Sequence, residues 1–222
     1  MEPSREVLTD HQMLLLERIA REPAIRSSFY LTGGTALAGF YLEHRYSEDL
    51  DFFSEQDVEP QGITIFLQSL RDTLPIRTID FQQSFNRNLY FLHFPDEILK
   101  VEFTYFPFPR IEVGKEVFGL PVDSPIDIAV NKLFTIYQQP RARDYIDLYC
   151  LVERYGWTLD ELARKARIKF DWHIDPLQLG TQFMKADDAS DLPRMILQLP
   201  EDRWRSFFTK EAEQLKPDVL ED

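Results

Sequence analysis

The stretch from Ser28 to Phe53 constrains the fold more than any other part of the chain. A short aromatic run, Ser28-Phe29-Tyr30-Leu31, reads as a strand that breaks at Thr32-Gly33-Gly34. Thr35 to His44 (TALAGFYLEH) then reads as a helix with Leu37, Phe40 and Tyr41 inward. Leu50, Phe52 and Phe53 alternate imperfectly with Asp49 and Asp51, as a second strand would. Strand, glycine turn, helix and strand in immediate succession ask for a sheet with helices packed against it.

The rest of the chain extends this pattern and then abandons it. Residues 9–21 read as an amphipathic helix capped by Thr9 or Asp10, with Met13, Leu16 and Ile19 on the buried stripe. Residues 61–74 read as another helix, followed by strand-like runs at Ile76–Phe81, Leu89–Phe94 and Ile98–Phe106. The two prolines of FPFPR must leave the sheet, and Val117–Val122 reads as a final edge strand. At Ser124-Pro125-Ile126-Asp127 the pattern turns helical, with Ser as cap, Pro in the first turn and an acid three residues after the cap. Helices are expected near 125–138, 142–155, 158–168, 176–184 and 201–215. The expected fold is α+β: a mixed sheet flanked by helices over 1–123, then a helical domain over 124–222.

Composition narrows the function classes. A net charge of −13 and a pI near 4.8 disfavour nucleic-acid binding through general basicity, although a local basic groove stays open. Cys150 is the single cysteine, which excludes an internal disulfide framework and a Cys-rich zinc site. The four histidines (His11, His44, His93, His173) show no metal-ligand spacing. The polar opening MEPSREVLTD is no signal peptide, and no apolar run approaches the roughly 18–20 residues of a membrane span. A cytoplasmic, soluble protein without a membrane partner is expected.

The candidate chemistry sits on acids. Asp49 and Asp51 lie two apart, so a strand would put both carboxylates on one face; hard oxygen ligands suit Mg²⁺. The bland alternative is a solvated loop. Gly33-Gly34, between strand and helix, would let backbone N–H groups approach a phosphate, and Thr35 would cap that helix or touch a phosphate oxygen. The alternative is an ordinary tight turn. Glu102 shares a face with Lys100, opposite Leu99, Val101 and Phe103, and is either a third metal ligand that orients or deprotonates a hydroxyl, or a solvent-facing partner of Lys100. Lys132, mid-way along an apolar helix, either snorkels to water or holds a triphosphate. Asp144 and Asp147 share a helix face and could pair with Arg141, Arg143 or Lys132. The basic run Arg164-Lys165-Ala166-Arg167-Ile168-Lys169 is either an RNA-backbone contact or a solvated helix face.

In combination these motifs resemble the nucleotidyltransferase superfamily, and within it the AbiEii/AbiGii toxin family. The resemblance covers roughly residues 25–150: Leu31 to Leu37, then Arg45 to Phe53, then Lys132-Leu133, then Arg141 and Asp144 to Leu148, in that order. It implies a minimal nucleotidyltransferase fold followed by helices. It also implies transfer of a nucleoside monophosphate from an NTP to an acceptor hydroxyl, with Mg²⁺ at Asp49, Asp51 and Glu102. Gly33, Gly34, Thr35 and Lys132 would hold the triphosphate, with Asp147 near Lys132. Arg45 and Ser47 would shape the loop before the acid pair or reach the nucleotide. The implied acceptor is RNA, tRNA in particular, and the implied setting a toxin–antitoxin or phage-defence system with a cognate antitoxin. A small-molecule adenylyltransferase of the antibiotic-modifying type and a non-catalytic binding module on the same fold are the rival expectations.

Overall fold

The computed structural model describes residues 7–215. They divide into two compact units. One is built from the described residues up to Tyr41, together with Ser47–Pro109 and Val113–Ser124; the other takes Leu42–Tyr46, Arg110–Glu112 and the described residues from Pro125 on.

The first unit opens with α1 (Asp10–Arg21), closed at its start by a reciprocal capping box between Thr9 and Gln12. Leu16 and Ile19 are buried as expected, but the stripe runs through Gln12 and Leu15 rather than the half-buried Met13. A short helix the sequence pattern did not suggest, α2 (Pro23–Ser28), takes the start of the expected strand, so β1 is only Tyr30–Thr32. Helix α3 (Gly33–Leu37) begins at Gly33, not at Thr35, and passes into a π-turn over Ala38–Leu42. Thr35 therefore lies inside the helix and cannot cap it; Thr32 occupies that position. Then follow β2 (Leu50–Ser54), α4 (Pro60–Ser69), β3 (Thr78–Ser84), β4 (Arg87–His93) and β5 (Ile98–Tyr105).

The five strands form one mixed sheet in the order β1-β2-β5-β4-β3, with β2 and β5 parallel and the other pairs antiparallel. Partners in register share a face. One face carries Leu31, Phe52 and Phe103 in a row, with Phe52 stacked on Phe103 at 5.0 Å and Phe29 edge-on to Phe103 at 5.1 Å. This is the core of the unit, and Leu31, Phe52 and Phe103 are fully buried in it. The opposite face carries Asp51, Glu102, Lys100, Thr104 and Arg87. The expected edge strand over Val117–Val122 is instead a separate hairpin, β6 (Glu116–Val117) with β7 (Leu120–Pro121), and only Val122 reaches the sheet, through a parallel bridge to Leu31. The turn residues explain this: Phe118 and Gly119 both have positive φ and reverse the chain before a strand can form.

The second unit is helical: α5 (Pro125–Gln138), α6 (Ala142–Tyr155), α7 (Leu159–Phe170), α8 (Pro176–Met184) and α9 (Glu201–Gln214). Trp204, Tyr145, Phe183 and Phe208 fill its centre. Helix α6 ends on Gly156 in the left-handed conformation. Asp127, the acid three residues after Ser124, lies in the first turn of α5. It is fully buried, accepts from the backbone N–H groups of Ile111 and Glu112, and pairs with Lys169 at 2.7 Å.

Candidate active site

The polar face of the sheet gathers one set of candidate residues. Asp51 stands in register between Thr32 on β1 and Glu102 on β5. Gly33, at φ +73°, lies directly against it: a Cβ at this position would come within 2.5 Å of Asp51 Oδ2. Glycine is required here twice over, by the backbone conformation and by the close approach. Thr35, expected at a phosphate, is buried, and its hydroxyl donates to the Asp49 carbonyl oxygen, fixing the residue that enters β2. Gly34 follows Gly33 in the first turn of α3. Of Ser47, the carbonyl accepts the Gln12 side-chain amide at 2.8 Å.

Two cations lie among the acids. Lys100 Nζ donates to Asp49 Oδ2 at 2.9 Å and stands 3.7 Å from Glu102 Oε2. Arg87 makes a two-pronged contact with Glu102, both bonds 2.6 Å, and Thr104 donates to the same carboxylate at 2.7 Å. Burial alone would push Glu102 up, but the hydrogen bonds from Arg87 and Thr104 and the charges of Arg87 and Lys100 outweigh it and hold its carboxyl below the usual range. Glu102 in turn raises Arg87. Sequence reasoning missed Arg87. Its signal was its place at the start of β4, beyond a two-residue turn, one diagonal step from Glu102 once the strands are in register.

The donor set suits a hard divalent cation: carboxylates on a polar face, with glycine backbone packed against one of them. Among the described residues, however, no three His, Cys, Asp or Glu side chains converge into a metal cluster by themselves. The side chains of Lys100 and Arg87, which are 24% and 50% exposed, lie against Asp49 and Glu102 instead.

The second unit holds the other set, around Asp147 on α6. Arg45 grips both of its oxygens (Nε to Oδ1 2.6 Å, Nη2 to Oδ2 2.8 Å), and Lys132 Nζ lies 2.7 Å from Oδ2 and 2.7 Å from Asp144 Oδ1. His44 Nε2 is 2.8 Å from Asp147 Oδ1 and must carry the proton, since the carboxylate has none to donate. Asp147 is completely buried. Burial would raise its pKa, but the charges of Arg45 and Lys132 and the bonds from Arg45 and His44 hold it well below the carboxylate range. Lys132 is disfavoured as a cation by burial, yet Asp147 and Asp144 raise it above the ordinary lysine value. Of the choices open for the acid pair, it takes Lys132; the Arg141 backbone N–H also donates to Asp144. His44, set aside as one of four scattered histidines, belongs to this network. Nothing in its spacing could show that, because its partner lies 103 positions away.

The basic run does not form one free face. Lys169 is buried against Asp127, Arg164 pairs with Asp160, and Arg167 donates to the Ile174 carbonyl. Cys150 is buried, and its thiol is pushed up to about 12, by burial first and then by Asp147. No described helix is long and apolar enough to cross a membrane.

Two solved structures share this architecture end to end. One is of an H. pylori protein described as a candidate nucleotidyltransferase (TM-score 0.61, 21% identity, 98% of each chain). The other is of JHP933 from Helicobacter pylori (TM-score 0.58, 21% identity, 99% of this chain and 96% of that one). A protein of Aquifex aeolicus (strain VF5), described as uncharacterized, is 30% identical over 165 residues, 73% of this chain and 76% of its own. The mixed five-stranded sheet flanked by helices is a nucleotidyltransferase-type fold. More narrowly, residues 14–221 match the family described as "Nucleotidyl transferase AbiEii toxin, Type IV TA system", and the chain belongs to that family.

Proposed function

We propose that the protein transfers a nucleoside monophosphate from an NTP to an acceptor hydroxyl on RNA, tRNA in particular, with Mg²⁺ as cofactor, and acts as the toxin of a toxin–antitoxin or phage-defence pair. The observation that carries this reading is the Asp51–Glu102 register on two parallel strands, with Gly33 packed against Asp51. In the reaction the acceptor oxygen bonds the α-phosphorus, the bond to pyrophosphate breaks, and the hydroxyl proton leaves.

Asp49, Asp51 and Glu102 would hold the divalent ion. When bound, such an ion supplies positive charge to the transferred phosphoryl group and the leaving pyrophosphate. Glu102 has a depressed pKa and is engaged by Arg87 and Thr104, which suits a charge holder better than a base, since a good base titrates near the working pH. The Gly33-Gly34 turn would offer backbone N–H groups to phosphate oxygens. Lys132 would contact the NTP, with Asp144 and Asp147 setting its direction. Arg45 and His44 would act through Asp147 rather than on substrate.

Incubation with each α-labelled NTP, Mg²⁺ and total cellular RNA, beside an Asp51→Ala control, tests the proposal. Label in a tRNA-sized band that vanishes in the control is expected. The net charge of −13 favours a second acceptor class, a cationic small molecule; label in small molecules but not in RNA would establish that instead. Induced expression that leaves growth unaffected would remove the toxin role.

A further inference from the structure

The sheet of the first unit has two edges, and they differ. The β1 edge is three residues long, buried, and covered: Leu31 bridges Val122, and its carbonyl accepts the Asp123 N–H at 2.8 Å. The β3 edge is seven residues long, with β4 on one side and, among the described residues, no strand on the other. All of β3 except Ile79 is exposed, and Phe81 is 44% exposed. Open edges are usually defended by lysine, proline or a bulge. The sequence TIDFQQS contains no lysine or proline, and its register with β4 is unbroken from Thr78 to Ser84. Its one charge, Asp80, is already met by His93 at 2.8 Å.

The strand is also complementary to itself. Place a two-fold axis at Phe81 and run a second copy antiparallel. Phe81 then faces Phe81, Asp80 faces Gln82, Ile79 faces Gln83 and Thr78 faces Ser84, so no like charges stand opposite. The chain reverses through the two-residue turn Phe85-Asn86, which makes Ser84 and Arg87 a hydrogen-bonded pair. Ile79, Phe81 and Gln83 consequently turn their N–H and C=O groups outward. Those are the residues that the same axis sets opposite one another. Phe81 already packs on Tyr90, with ring centroids 4.9 Å apart, so pairing would extend that aromatic row into the second copy.

We propose that the protein self-associates through β3, two copies joining their sheets antiparallel about Phe81. Strand pairing alone buries a modest area, so association is weak, in the micromolar to sub-millimolar range. The net charge of −13 on each copy opposes it, and added salt therefore strengthens it by screening, the reverse of an ion-paired interface.

Sedimentation equilibrium of the full chain from about 5 to about 500 µM is the test. The mass is expected to climb from one chain toward two, and to climb earlier at high salt. Phe81→Lys should weaken association by roughly tenfold or more, by setting two ammonium groups on the axis. Val113→Lys, at a position 94% exposed, should not change it. Amide exchange at Ile79, Phe81 and Gln83 in the unaltered protein should slow as concentration rises, a readout independent of any variant. A monomer throughout the range overturns the proposal. So does a dimer that survives Phe81→Lys or leaves the β3 amides exchanging at one rate.

Discussion

Two groups of acids, one in each unit, look alike in composition and differ in solvent. Asp49 and Glu102 face Lys100 and Arg87 on an open sheet face, and both cations are partly exposed. Asp144 and Asp147 face Lys132, Arg45 and His44, with Asp147, Arg45 and His44 sealed from water. In the first group Lys100 can leave Asp49 and another cation take its place at small cost, because water reaches both side chains, while the buried Glu102 needs a cation or donor to replace any it loses. In the second nothing can leave without abandoning a buried charge. The open group suits chemistry that exchanges ligands; the sealed one suits holding side chains in place.

The largest test of that contrast is Asp147→Ala. It removes the buried counter-ion that Arg45 and Lys132 share, leaving Lys132 on Asp144 alone, and should lower unfolding free energy by about 3–5 kcal/mol, read from urea denaturation. If the loss is under about 1 kcal/mol, the sealed network is not what fixes the helices. Asp51→Ala is the converse: stability should stay within about 1 kcal/mol of the parent, while nucleotidyl transfer falls by about 10²-fold or more. Gly33→Ala sits between the two. The positive φ and the clash with Asp51 should together cost about 1–3 kcal/mol, and activity should fall beyond what the remaining folded fraction explains.

The smallest effect is on pH dependence. Glu102 and Asp147 both titrate lower in the folded protein than they would unfolded. Each therefore contributes stability above the ordinary carboxylate range, near pH 4, and loses it as pH falls through the depressed value. The urea midpoint should drop below about pH 4. Arg87→Ala removes the hydrogen bonds and the charge that hold Glu102 down, so Glu102 has less stabilisation to lose on acidification and the drop should become shallower, in a variant already less stable near neutral pH. An unchanged pH profile would show that Arg87 does not govern Glu102.

What could be read in the chain followed local periodicity. Alternation placed Lys100 and Glu102 on one face, the spacing of Asp144 and Asp147 placed both on one side of α6, and Gly33-Gly34 marked the turn. Each depends on neighbours within four residues. Arg87 and His44 were illegible because their partners are set by strand register and helix packing, 15 and 103 positions away. Helix α2 was masked by Pro23 and by the aromatics that follow it, which read as strand. The switch into a π-turn at Ala38 has no local signature in AGFYL.

The anchoring of Arg45 has a consequence for proteolysis. The residue lies outside every helix and strand of the sheet, in the kind of connecting segment trypsin prefers. Yet its side chain is only 3% exposed, its backbone bridges Met195, and the next amide donates to the Arg194 carbonyl. Cleavage after Arg45 requires the segment to detach from Asp147 first, so its rate reports the opening of that network rather than the accessibility of a loop. A nick there in the native protein, timed against nicking in the Asp147→Ala variant, would measure how often the clamp lets go.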